Sequence, residues 1–159
     1  MKPQVSPLFL KDEELNDGVE LFFFAHRDFA RVADRYLEQH ELGRAHFRAL
    51  YFIARRPGMP VTDLISILGV TKQSLNRVLK TLLEKQLVTL TQGARDRRQR
   101  LLNLTESGRA LSAQLSQAQR TKFAAAYREA GPEAVVGFRR VLENLVTGRG
   151  PAGRGLHKG

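Results

Sequence analysis

A mostly helical chain with one small β-hairpin is predicted by three features of this sequence. Two short apolar stripes of helical period, between Val61 and Leu83, are separated by Gly69; after Leu87 the period changes from helical to alternating; and long segments on both sides repeat apolar residues at three- and four-residue steps. With 159 residues the chain is long enough to bury most of its apolar surface as one unit, and nothing in it marks a second domain.

The first long segment places Leu15, Val19, Phe22, Phe23, His26, Phe29, Ala30, Ala33 and Leu37 on one stripe, which predicts a single helix from about Asp12 to His40. Gly43 opens a second helix through Phe47, Leu50, Tyr51 and Ala54, closed by Arg55-Arg56-Pro57-Gly58 as a basic last turn and stop. From Val61 to Leu68 a third helix sets Val61, Leu64, Ile65 and Leu68 on one face, and Gly69 breaks it. Thr71 then offers a hydroxyl to a free amide of the next helix, whose stripe is Leu75, Val78, Leu79, Leu82 and Leu83. Val88 to Gln92 and Gln99 to Leu104 read as paired strands, with Gly93 to Arg98 as the tip between them. A cap at Thr105-Glu106-Ser107 starts a long helix that passes Leu111, Leu115 and Ala118 to about Ala130. Gly131-Pro132 ends it, and Glu133 to Val146 makes the last helix through Val135, Val136, Phe138, Val141, Leu142 and Leu145. The glycine- and arginine-rich tail from 148 to 159 has no apolar period and is expected to be disordered.

Two helices crossing over a glycine turn form a helix-turn-helix. The exposed side of its second helix carries Thr71, Lys72, Gln73, Ser74, Asn76, Arg77 and Lys80, with no carboxylate until Glu84. Gln and Asn pair in two-pronged fashion with adenine, Arg with guanine, and Lys or Ser with phosphate or base edges. The hairpin tip adds Arg95, Arg97, Arg98 and Arg100 around Asp96, a wing whose charge suits the negative potential of a narrow minor groove. Taken singly, the apolar pattern occurs in many helical proteins and an arginine-rich turn is commonly a solvated loop. Their adjacency decides: from Thr71 to Arg109 nine cationic residues face three acidic ones, so most of the chain's formal +10 falls in a quarter of its length.

On these residues the chain resembles the MarR family of winged-helix transcription regulators, over roughly Leu15 to Leu145. The family's wing carries Asp-Arg-Arg, then a strand, then Leu-Thr-x-x-Gly; here Asp96-Arg97-Arg98 leads through Leu101 to Leu104 into Thr105-Glu106-Ser107-Gly108. Gly69 to Leu79 is similar to the family's recognition helix, in which the position of Arg77 is commonly arginine and lies against DNA. Gly93, Ala94 and Ile65 depart from the usual pattern, where an acidic residue, a proline and a small residue are common.

The first and last long helices present more apolar surface than peripheral helices need, which predicts that they bury it between two subunits, with Phe22, Val135, Phe138 and Leu142 at the joint. The resemblance implies the same homodimer, and a two-fold protein reads a pseudo-palindromic site on double-stranded DNA with half-sites about 34 Å apart. One intertwined unit is expected: a dimerisation helix over 12–42, the winged helix-turn-helix over 43–104, dimerisation helices over 105–147 and the tail. Nine of sixteen acidic residues precede position 42, leaving that end acidic and the reading end basic. Repression is the favoured output. The resemblance further implies release of DNA by a small aromatic or phenolic anion held between the dimerisation helices and the winged helix, with Phe23, His26, Arg27, His46, Phe47 and Tyr51 as candidate lining. Phe23 and Phe47 read first as core, and His26 as a hydrogen-bonded interior residue.

A sequence pI near 10.7 favours a polyanionic partner. No apolar run approaches the ~20 residues of a spanning helix, and Met1-Lys2-Pro3-Gln4 begins no signal peptide, so no membrane partner and a cytoplasmic location are expected. Absence of cysteine excludes disulfides and thiolate sensing. Against an enzyme or metal sensor, His26, His40, His46 and His157 lack ligand spacing, and no Gly-x-Ser-x-Gly turn occurs; no cofactor or metal is expected. Glu38, His40, Glu41 and His46 are the one weak metal grouping. A winged helix used for RNA or protein contact is the other alternative, but Lys72 to Arg100 contains no aromatic residue on which a base could stack.

Overall fold

The computed structural model describes residues 8–146; the tail at 148–159 lies outside the described residues. A short 3-10 turn at Leu8–Leu10 leads into α1 (Asp12–Arg31), α2 (Asp34–Gln39), α3 (Arg44–Arg55), β1 (Met59–Pro60), α4 (Val61–Leu68), α5 (Lys72–Glu84), β2 (Val88–Gln92), β3 (Arg100–Leu104), α6 (Glu106–Ala130) and α7 (Pro132–Leu145). The mostly helical chain with a β-hairpin wing is therefore as the sequence predicts, with two differences.

The stretch from Asp12 to His40 is two helices, not one. The chain turns at Val32 and Ala33, where the Val32 amide reaches back to the Phe29 carbonyl at 3.4 Å. The turn separates two tasks that a straight helix cannot combine. No residue of α1 is buried, whereas Ala33 and Leu37, just beyond the turn, are sealed in the core. Asp34 then grips Arg44 through two bonds of 2.8 and 2.7 Å, clamping α2 to the start of α3. That guanidinium holds the Asp34 carboxyl below the usual carboxylate range.

The second difference is a third strand. Met59 and Pro60 pair with Leu102 and Leu101, giving an antiparallel sheet in the order β1-β3-β2. Proline is tolerated because β1 is an edge strand. Val88 faces Leu104 and Gln92 faces Arg100, which fixes the register of the wing.

The core lies under the helix-turn-helix. Leu37, Leu50, Ile53, Leu64, Leu75, Leu82, Leu102 and Leu115 are fully buried, joining α2, α3, α4, α5, β3 and α6. Each contributes about 1.5–3 kcal/mol relative to exposure. By contrast α7 buries no residue, and its Phe138 joins an aromatic cluster with Phe123 and Tyr127 of α6. Among the described residues no helix is long and apolar enough to cross a membrane.

Candidate nucleic-acid interface

Local sequence sets the angle and start of α5. Gly69 adopts a left-handed conformation at φ 62°, which glycine reaches without a Cβ penalty, and so ends α4 in one residue. Thr71 is extended, and its hydroxyl accepts from the Ser74 amide at 3.1 Å. Such a cap is worth about 1 kcal/mol. With Leu75, Leu79 and Leu82 buried beneath, Thr71, Lys72, Gln73, Ser74, Asn76, Arg77 and Lys80 are all exposed. Among the described residues only Lys80 of this group meets a carboxylate, Glu84 at 3.9 Å, an exposed pair of small energetic weight.

The end of α5 is built without glycine. Gln86 takes φ 53° and the Leu87 amide returns to the Leu82 carbonyl at 2.9 Å, so the chain leaves the helix directly into β2. Thr105 ties this turn to α6: its hydroxyl donates to the Gln86 carbonyl at 2.7 Å and accepts from the Gly108 amide at 3.0 Å. The end of α5, the wing strands and the start of α6 are thus tied together at one joint.

At the wing tip Arg95, Arg97, Arg98 and Arg100 are exposed, and none forms an ion pair among the described residues. Asp96 does not pair with a neighbouring arginine side chain. Its Oδ1 accepts from the backbone amide of Arg98 at 2.9 Å, while the Gln99 amide donates to the Asp96 carbonyl at 3.1 Å. The carboxylate closes the turn and leaves every guanidinium free. Gly93 packs so tightly against the Asp96 carbonyl that an added methyl would sit 2.6 Å from it, which explains why the wing begins with glycine here.

A cleft of about 640 Å³ opens between α1, α3, β3 and α6. Its walls include Phe29, Tyr51 and Phe123, the polar groups of Asn103, Ser112 and Ser116, and the cations Arg55, Arg109 and Arg120, with no carboxylate among the described residues that line it. The Arg55 guanidinium lies 5.8 Å from the Tyr51 ring centroid, and Arg109 Nη1 donates to the Leu104 carbonyl at 3.0 Å. Of the six residues the sequence suggested for an effector, only Tyr51 lines this cleft. Phe47 is core, as expected, but Phe23 is 68% exposed and His26 is exposed and not an interior hydrogen-bonded residue; Arg27 is turned to Asp28 at 2.8 Å. A helical stripe does not reveal whether it faces the core or another molecule. Arg55 ends α3 while Arg109 and Arg120 share α6, so the three meet only where these two helices pack, and only their general charge was visible in the sequence.

His46 is engaged locally. Its Nδ1 accepts from the Gly43 amide at 3.0 Å, capping α3. Burial holds its imidazole below the ordinary range, and the Lys85 ammonium acts in the same direction. Glu41 meets Lys85 at 3.0 Å. Among the described residues no group of three or more His, Asp or Glu side chains could hold a metal ion, so Glu38, His40, Glu41 and His46 form no such site.

Of the four residues expected at a subunit joint, Phe22 is 51% and Phe138 40% exposed, whereas Val135 and Leu142 are half-buried within the chain itself. Exposed around them are Leu15, Val19, Val136, Val141 and Leu145.

A sequence model of the MarR family matches residues 40–99. The chain is 58% identical over 139 residues to the HTH-type transcriptional regulator PetP of Rhodobacter capsulatus, covering 87% of this chain and 84% of that protein. Its fold is similar to that of a MarR family regulator from Listeria monocytogenes solved with a 26mer DNA, with a TM-score of 0.71, 18% identity, and 80% and 85% of the two chains covered. NadR in complex with 4-hydroxyphenylacetate is also similar, with a TM-score of 0.69, 21% identity, and 82% and 91% covered.

Proposed function

This chain belongs to the MarR family of transcription regulators, and from that premise we propose that it reads a pseudo-palindromic operator in double-stranded DNA as a homodimer and acts as a cytoplasmic repressor. The observation that carries the reading is the exposed face of α5. Gln73, Asn76 and Arg77 bring base-reading chemistry, Lys72, Ser74 and Lys80 bring anchoring chemistry, and a buried leucine stripe fixes them from behind. Arg95, Arg97, Arg98 and Arg100 extend the contact along the backbone or into the minor groove.

Two subunits are supported by the apolar surface that α1 and α7 leave uncovered. Phe22, Phe23, Val19, Val136 and Val141 together form far more exposed hydrocarbon than scattered surface residues do, and a second copy of the same helices covers it. The cleft beside α1 supports a small aromatic anion as effector. Aromatic rings and three arginines without a carboxylate suit a ring bearing a negative group, and the volume lies in the range of small-molecule sites. This effector site replaces the lining suggested by sequence, with Tyr51 retained.

Selection of bound duplexes from random DNA by the full chain tests the proposal. It should return a two-fold-symmetric sequence with half-sites about one helical turn apart. Recovery of unrelated sequences, bound equally, would overturn it.

A further inference from the structure

We infer that Arg48, on α3 and outside the helix-turn-helix, makes an additional phosphate contact that anchors the recognition helix on DNA. The inference rests on the proposed DNA-reading role of α5. A small cleft of about 190 Å³ lies between α3 and the helix-turn-helix, walled by Leu68, Val70, Leu75 and Val78, with Ser74 of α5 on its rim. Among the described residues Arg48 is the single charged one lining it. The guanidinium stem has apolar surface to lie along while its head stays in water, since Arg48 is exposed.

Two of its neighbours on α3 are already engaged. Arg44, one turn earlier, is held by both oxygens of Asp34, and His46 is spent on the Gly43 amide. The Arg48 side chain takes part in no hydrogen bond or ion pair among the described residues. An arginine beside Ser74, near the Thr71 cap and flanked by an apolar wall, has no carboxylate among the described residues competing for it. Its field is strengthened by the low-dielectric wall and directed toward whatever anion α5 approaches. Ser74 follows Lys72 and Gln73 on α5, so the anion in reach is the backbone flanking the bases that those residues would meet. Base reading from this position is not expected, because Arg48 lies on a different helix from the one proposed to enter the groove.

Affinity measured against salt separates this role from the others. Wild type, Arg48→Gln and Arg48→Lys are titrated onto a selected duplex and a scrambled one between 50 and 200 mM salt, with thermal melts alongside. Arg48→Gln should melt as wild type, lose affinity equally for both duplexes, and show a log K against log salt slope shallower by about 0.9 for each bound protomer. Arg48→Lys should keep the wild-type slope, because a phosphate accepts either cation. A wild-type slope and affinity in Arg48→Gln, or a loss confined to the selected duplex, would overturn the assignment. If instead the wild-type protein binds neither duplex, the underlying DNA-reading role fails, which is a different result from failure of Arg48 alone.

Discussion

The carbonyl of Leu87 lies directly against the α-carbon of Gly108, so close that a methyl group there would overlap the carbonyl oxygen. The same carbonyl accepts from the Thr105 amide at 3.1 Å, so it cannot move aside without breaking the joint between α5, the wing and α6. Gly108→Ala should therefore destabilise the fold by about 1–3 kcal/mol. Denaturant unfolding measures this, and a wild-type midpoint would show that the two backbones are not in contact.

This contact gives a physical reason for the threonine and glycine three residues apart. Their spacing was legible in the sequence, as were the Gly69 turn, the Thr71 cap and the buried leucines of α5, because each is a local requirement met within four residues. The break at Val32 and Ala33 was not legible. The apolar period continues through it, and only the core decides that Leu37 goes inside while Phe22 and Phe23 stay out. β1 was also hidden, since two residues, one of them proline, carry no alternation. Arg109 and Arg120 share one face of α6 by helical spacing, but Arg55 joins them only through the packing of α3 on α6, which no spacing encodes.

Asp96 should support DNA binding despite its charge. Its Oδ1 bond to the Arg98 amide shapes the tip, so Asp96→Ala should weaken binding to every duplex, and Asp96→Asn, which keeps an acceptor, should restore most of it. Arg98→Ala should likewise cost affinity without regard to sequence and reduce salt dependence. Electrophoretic or anisotropy titrations decide; tighter binding by Asp96→Ala would contradict the account.

His46 should make stability fall on mild acidification. Its folded pKa lies below the unperturbed 6.5, so its contribution is fully present above that value and is lost as pH falls through the folded value. Protonation also removes the acceptor that caps α3. Melting temperature should drop from pH 7.5 to 5 more in wild type than in His46→Asn, whereas the Asp34 and Arg44 pair contributes above pH 3.8 and weakens only below it. Parallel profiles for the two proteins would refute the assignment to His46.

Phe22→Glu should separate the subunits while leaving the winged helix folded, since Phe22 is not part of the core. Leu142→Glu should both separate and destabilise them, because Leu142 is half-buried inside its own subunit. Sedimentation together with melting distinguishes the two. A wild-type protein that sediments as a monomer at micromolar concentration would remove the dimer and the palindrome together.

Base reading by α5 is tested most directly by titrating Gln73→Ala and Arg77→Ala on the selected duplex and on a scrambled one. Each variant should lose about 1–3 kcal/mol on the selected duplex and little on the scrambled one, relaxing sequence preference. Equal losses on both duplexes would mean that these side chains touch only phosphate, and that α5 does not read the sequence.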